Sequence, residues 1–71
     1  MPPIITNREK EVLHLIAHEY NTTEIAQQLY ISAYTVHSHR KNLLHKMDVR
    51  NTAGLIRKAF ELGFMNISHN Y

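Results

Sequence analysis

The segment Ser32–Met47, SAYTVHSHRKNLLHKM, decides the fold. It contains no Gly or Pro, and its first residue can cap a helix because a serine hydroxyl accepts from an amide two or three residues on. At about 100° per residue, one face gathers apolar side chains: Ala33, Val36, Leu43, Leu44 and Met47. The opposite face carries polar side chains, none of them acidic: Tyr34, His37, Ser38, Lys41, Asn42 and His45. The segment is therefore predicted to be a helix whose basic, hydrogen-bonding front fits the major groove of DNA.

The composition is that of one small globular domain. The chain has 71 residues, of which 44% are hydrophobic and 20% charged, which argues against disorder. A domain of this size buries only about 60% of its unfolded surface, so its stability is expected to be marginal. There is no cysteine, which excludes disulfides and thiolate metal sites.

Charge is divided unevenly along the chain. Residues 1–31 carry two basic and four acidic side chains, a balance of −2, whereas residues 32–58 carry six basic and one acidic, a balance of +5. A basic half that begins at the polar-faced helix indicates a polyanionic partner. The alternative is a solvated charged face without a partner.

Other classes of function find little support. Residues 1–5 lack the basic and apolar regions of a signal peptide, and no apolar run approaches the ~20 residues of a membrane span. His14 and His18 have a helical metal-ligand spacing, but no third ligand is near, so exposed histidines are the better interpretation. No catalytic constellation or Gly-rich phosphate loop is present. We expect no enzyme activity, and no cofactor, metal, membrane contact or small-molecule ligand for this domain.

Capping signals divide the chain into four helices, so a single all-α domain over residues 1–71 is predicted. Each helix is preceded by a residue that can cap it: Thr6, Asn21, Ser32, and Asn51 or Thr52. Glu9 and Glu24 complete capping boxes in the first two helices, and Gly63 suits the end of the fourth. The predicted helices cover about residues 7–18, 22–29, 33–47 and 52–62. The polar tail 66–71 is expected to fray.

The connection between the second and third helices is very short. Tyr30 and Ile31 lead directly to Ser32, and the small Ala26 allows close approach of another helix. Helix, tight turn and helix, with a small inward residue early in the first, is the helix-turn-helix pattern. The third helix is then the recognition helix.

The fourth helix is apolar over about half its circumference. A core stripe is expected at Ala53, Ile56, Ala59, Phe60 and Phe64. Leu55 and Leu62 lie beside this stripe and widen the apolar arc beyond what one packing face needs. Either these leucines form a partner surface, or the helix is packed in a deep groove.

Two residues of the third helix are expected to serve the fold. His39 lies at the edge of the apolar arc, where a structural role is favoured over a base contact. Arg40 points toward the core side, so we expect it to reach solvent along its stem or to pair with Glu9 or Glu24, because an unpaired buried charge is costly.

An ordered set of residues extends over about 5–64: Ile5-Thr6-Asn7-Arg8-Glu9, Val12-Leu13, Glu24-Ile25-Ala26, Leu29, Ile31-Ser32, Thr35-Val36, His39, Lys46-Met47 and Val49-Arg50-Asn51. This set resembles the LuxR/GerE-type helix-turn-helix DNA-binding domain. That domain is the C-terminal output unit of many bacterial response regulators and quorum-sensing regulators. The resemblance implies a cytoplasmic, nucleoid-associated transcription regulator that binds double-stranded DNA, with RNA polymerase as a further candidate partner.

The resemblance also implies roles for individual residues. His37, Ser38 and Lys41 match positions that read base edges, and Thr35 and Lys46 match positions that touch phosphate. Tyr34 and Arg50 are further phosphate candidates from their place and chemistry. The fourth helix implies a homodimer, with Leu55 and Leu62 at its interface.

The chain departs from the family pattern at four positions. Glu19 and Asp48 stand where Gly is frequent, Thr52 where a basic residue is common, and His37 where Lys is frequent. Two rivals are a module of the same fold that dimerises with a regulator without binding DNA, and a fragment of a sigma factor. The basic face argues against the first, and the Thr6–Glu9 entry and the Thr35-Val36 pair fit the second less well.

Overall fold

The computed structural model describes residues 3–65, and within that range it holds four helices and no strand. The helices are α1 (Asn7–Ala17), α2 (Thr22–Leu29), α3 (Ala33–Met47) and α4 (Thr52–Glu61). The all-α prediction is confirmed, and α1 and α4 end one residue before their predicted bounds. The tail 66–71, which was expected to fray, lies outside the described residues.

Every helix begins with a side-chain cap. An oxygen of the residue before the helix accepts from the amide of the third helical residue: Thr6 from Glu9, Asn21 from Glu24, Ser32 from Thr35 and Asn51 from Gly54. In α1 and α2 the glutamate side chain accepts in return from the capping residue's amide, at 2.9 and 2.8 Å. These bonds satisfy amides that a helix leaves without partners, and they fix the predicted helix starts.

Every helix is followed, within two residues of its end, by a residue with positive φ. These residues are Glu19 (φ 67°), Tyr30 (56°), Asp48 (55°) and Gly63 (81°). The amide that follows each one donates to the carbonyl five residues earlier, at 2.9–3.0 Å: Tyr20 to Leu15, Ile31 to Ala26, Val49 to Leu44 and Phe64 to Ala59. This is the Schellman motif, which usually places Gly at the left-handed position. Here a glutamate, a tyrosine and an aspartate adopt it.

Helix α3 is the centre of the fold because it packs against α1, α2 and α4. Its spine of Val36, Leu43 and Met47 is at most 1% exposed. The core is completed by residues of the other elements: Ile5, Val12, Leu13, Ile16, Ile25, Leu55, Ala59 and Met65. Ala33 was predicted on the apolar face but is exposed, because as the first residue of α3 it lies beyond the end of this spine.

The core face of α4 agrees only in part with the predicted stripe: Ala59, Ile56 and Phe64 contact the core as predicted, whereas Ala53 and Phe60 are exposed. Leu55 is 1% and Ala59 0% exposed, and Leu62 is half-buried against the core. Ala53 is exposed, and Phe60 keeps 38% of its surface accessible. The assignment of Leu55 to a dimer interface is therefore wrong, because its side chain is consumed by the core, and Leu62 lies on the same inward side. Two apolar stripes at helical spacing cannot be ranked by periodicity alone.

Candidate nucleic-acid interface

The outward face of α3 is a continuous polar surface, which we call the α3 front: Tyr34, His37, Ser38, Lys41, Asn42 and His45. All of these side chains are exposed except Ser38, which is half-buried. The helix contains no acidic residue, so Lys41 gives the front a positive charge that no carboxylate of α3 offsets. The spine on the other side of α3 is buried in the core. The helix is therefore held firmly in place while the α3 front faces solvent.

The structure brings the three predicted base-reading residues together. His37 and Lys41 are one helical turn apart and exposed, and the half-buried Ser38 follows His37. Side chains four residues apart on a helix are neighbours. An ammonium, an imidazole and a hydroxyl supply both donors and acceptors, which is what recognition of base edges requires.

The start of α3 carries a compact hydroxyl cluster. The Thr35 hydroxyl lies 2.9 Å from the Ser32 hydroxyl, and the Thr35 amide donates to Ser32 Oγ at 3.1 Å. Tyr34 stands beside them and is 80% exposed. A helix start concentrates positive partial charge, so these groups surround a place that favours an anion such as phosphate. Arg50, beyond the other end of α3, is exposed in the loop before α4.

Lys46 has a different task from the one predicted. Its ammonium lies 2.8 Å from Oε1 of Glu9, whose side chain is 5% exposed. Burial by itself raises the pKa of the Glu9 carboxyl, but the hydrogen bonds from Lys46 and Thr6, together with the lysine charge, outweigh burial and lower this pKa below its ordinary value. Because this charge is paired with a buried carboxylate, we expect Lys46 to serve the fold rather than to bind phosphate.

Arg40 does not form the ion pair with Glu9 or Glu24 that was one of its two expected roles. Its Nη2 donates to the Thr52 hydroxyl at 3.0 Å, which joins α3 to the first residue of α4. The half-buried Arg40 thus connects the two helices. Sequence spacing could not reveal this contact, because it depends on how the Asp48–Asn51 loop folds back.

Tyr30 is an exposed residue that the sequence interpretation did not single out. It ends α2 in the left-handed conformation, and 95% of its surface is accessible. The available signal was a turn between α2 and α3 without Gly, which obliges some other residue to adopt positive φ.

The histidines His14 and His18, at the end of α1, are exposed and interact with each other. Their rings stack with centroids 6.5 Å apart, and His18 Nδ1 lies 2.8 Å from the His14 carbonyl oxygen. Within residues 3–65 no cluster of three or more potential ligands is assembled for a metal ion. None of the helices in the described part of the chain has the length and apolar character needed to cross a membrane.

Comparison with known proteins identifies the family. A model of bacterial regulatory proteins of the luxR family matches residues 3–59. YgeK of Escherichia coli strain K12, an uncharacterized response regulatory protein, is 43% identical over 63 residues, which cover 89% of this chain and 43% of YgeK. The spore germination protein GerE of Bacillus subtilis strain 168 is 32% identical over 65 residues, which cover 92% of this chain and 88% of GerE. The chain thus spans less than half of YgeK and most of GerE.

Two solved structures have a fold similar to that of this chain. The structure of the transcription factor GerE superimposes with a TM-score of 0.83 at 34% identity, covering 87% of this chain and 92% of GerE. VqmA of Vibrio cholera, solved in complex with a ligand and DNA, gives a TM-score of 0.84 at 29% identity, covering 96% of this chain and 30% of VqmA. Four capped helices, a polar α3 front and these matches lead to one conclusion: the chain belongs to the luxR family of bacterial regulatory proteins and is a DNA-binding helix-turn-helix domain.

Proposed function

We propose that this domain binds double-stranded DNA in a sequence-specific manner in the bacterial cytoplasm, with α3 in the major groove, as the output part of a transcription regulator. The observation that carries the proposal is the α3 front, a rigid, acid-free polar surface over a fully buried spine. An α-helix fits the width of the major groove, where each base pair presents a distinct pattern of donors and acceptors. The role is binding and not catalysis, and RNA polymerase is a candidate partner of the bound regulator.

Base reading falls to three residues of the front. The Lys41 ammonium donates to N7 and O6 of guanine, which is among the commonest specific contacts in DNA complexes. His37 and Ser38 lie beside it and can donate or accept. Contacts of this kind discriminate against a wrong base by about 1–3 kcal/mol each.

Phosphate contacts orient the helix in the groove. Thr35 and Tyr34 stand at the start of α3, and Arg50 follows its end, so the contacts flank the base-reading patch on both sides. Neutralised phosphates release counterions, which makes affinity fall as salt rises. Hydroxyls and amides fix register without contributing charge.

Dimerisation through the outward face of α4 completes the proposal. This face carries the exposed Ala53 and Phe60. On the same helix, Arg57 Nε lies 3.4 Å from Glu61 Oε2. A two-fold interface must be self-complementary, and a basic and an acidic residue beside one aromatic side chain meet that condition in a second copy of the chain. A symmetric dimer would bind two half-sites about one helical turn apart.

The proposal is tested by selecting duplexes from a random-sequence pool and mapping methylation of guanine N7. We expect one enriched sequence with two-fold symmetry and protected N7 atoms in each half-site. In the Lys41→Met variant, protection of one guanine per half-site is lost while the others persist. No enrichment would favour the alternative of a module that dimerises with a regulator without binding DNA, for which the exposed Phe60 is the supporting observation. Enrichment without N7 protection would contradict the placement of α3 in the major groove.

A further inference from the structure

Tyr30 lies in the short turn that precedes the recognition helix, α3. It is the left-handed residue that ends α2, with φ 56° and ψ 44°, and it stands two residues before Ser32, the cap of α3. At 95% it is the most exposed of the large hydrophobic side chains in the described part of the chain. Its Cα can lie no more than about 7 Å from that of Ser32, so its place at the start of α3 is fixed by chain geometry.

The backbone that carries Tyr30 is firmly held. The Tyr30 amide donates to the Ala26 carbonyl, and the Ile31 amide donates to the same carbonyl at 3.0 Å. Ile31 is half-buried and packs against the core. The phenol therefore projects into solvent from a rigid turn, so little backbone entropy is lost when it binds a partner.

Neither the left-handed backbone of Tyr30 nor its exposed ring stabilises the isolated domain. The left-handed conformation is unfavourable for a residue with a Cβ, and glycine would adopt it at no steric cost. The ring buries almost nothing, so its hydrophobic surface gives little stability. A tyrosine nonetheless offers a hydroxyl donor at the end of a stiff ring, a combination common at binding surfaces.

We propose that Tyr30 is a DNA-backbone contact, whose phenol donates a hydrogen bond to a phosphate beside the start of α3. The proposal rests on the proposed function, because a helix that enters the major groove by its first turns places the preceding turn against the flanking phosphates. Together with Tyr34, it sets two exposed phenols four residues apart around Ser32. Tyr30 thereby fixes the register of α3 on the duplex and reads no base itself.

The test compares Tyr30→Phe and Tyr30→Gly with the native chain on a duplex selected from the random pool. We expect Tyr30→Phe to keep the native Tm and to bind about tenfold more weakly, as loss of a hydrogen bond to a charged group implies. Its salt dependence stays native, because an uncharged phenol releases no counterion. Tyr30→Gly weakens binding at least as much, yet its Tm rises by a few degrees because the left-handed strain is relieved.

Asp48→Gly is the control, since it places glycine at the left-handed position at the other end of α3, although Asp tolerates that conformation better than Tyr. It is expected to raise the Tm without weakening DNA binding. Native affinity in both Tyr30 variants would overturn the proposal, and so would weakened binding in Tyr30→Gly alone, because the hydroxyl would then have no role. If the Tyr30 variants bind normally while Lys41→Met binds weakly, the inference fails and the proposed function stands. A native chain that binds no duplex overturns both.

Discussion

The Lys46 ammonium lies 2.8 Å from the Glu9 carboxylate and joins the last turn of α3 to the first turn of α1. Glu9 at the same time completes the capping box of α1 by accepting from the Thr6 amide at 2.9 Å. One buried carboxylate therefore serves a helix cap and an interhelical ion pair. The pair therefore connects the recognition helix, α3, to α1.

Lys46→Met should lower the free energy of unfolding by about 2 kcal/mol, because it leaves a buried carboxylate without its charged partner. This value lies below the roughly 3–5 kcal/mol of a fully buried pair, because the lysine side chain is 34% exposed. Urea unfolding measures the free energy of unfolding, and Lys10→Met is the control because Lys10 is exposed on α1. Lys10→Met should change this free energy by no more than about 0.5 kcal/mol. Equal effects of the two substitutions would mean that the ion pair contributes nothing.

The same pair predicts a pH dependence. Because the folded state lowers the Glu9 pKa below its ordinary 4.5, the folded chain favours the carboxylate. Its stabilising contribution is complete above the ordinary pKa and is lost as pH falls through the lowered one. The stability difference between the native chain and Glu9→Gln should therefore be largest at neutral pH and shrink below about pH 4. A difference that does not change over an acid titration series would contradict this cause.

Glu19 is poorly suited to its left-handed conformation, because glutamate lacks the tolerance of Asp for it. Glu19→Gly should stabilise the domain by about 0.5–1 kcal/mol, the relief of strain exceeding the entropy that glycine adds to the unfolded chain. Glu19→Ala makes the same charge change without relieving the strain and is the matched control. Thermal unfolding should show a higher Tm for the glycine variant only; a rise in both would assign the effect to charge.

Because Leu55 faces the core and Phe60 faces outward, these two residues of α4 are expected to have different roles. Phe60→Ser should weaken dimerisation at least tenfold and leave the monomer folded, because the ring is partly exposed on the outward face. Leu55→Ala should destabilise the monomer by about 3 kcal/mol, since it opens a cavity in the core. Sedimentation over a concentration series, with unfolding curves, distinguishes the two. An unchanged association constant in Phe60→Ser would exclude this face as the interface.

Local signals in the sequence were sufficient for much of the fold. The caps at Thr6, Asn21 and Ser32 depend on side chains that bond within three residues, so helix starts could be predicted closely. The α3 spine was also predictable, because its polar and apolar faces differ sharply. Gly63 was expected at a helix end and adopts positive φ there.

Contacts between distant segments were beyond the reach of such signals. Lys46 and Glu9 are separated by 37 positions, and either Lys46 or Arg40 could have been the partner of that carboxylate. The two apolar stripes of α4 differ in nothing that periodicity measures, so only packing decides that Leu55 faces inward and Phe60 outward. The role of Tyr30 was missed because a tyrosine is not an expected left-handed residue.

The central claim is that the α3 front contacts DNA while Lys46 serves the fold. The most direct measurement is the affinity for the selected duplex at about 50 and about 200 mM salt, for the native chain, Lys41→Met and Lys46→Met, each at a temperature where it is folded. We predict salt-sensitive native binding, a loss of about tenfold or more in Lys41→Met, and native affinity in Lys46→Met. An affinity that does not change with salt concentration, or equal losses of affinity in Lys41→Met and Lys46→Met, would contradict the account.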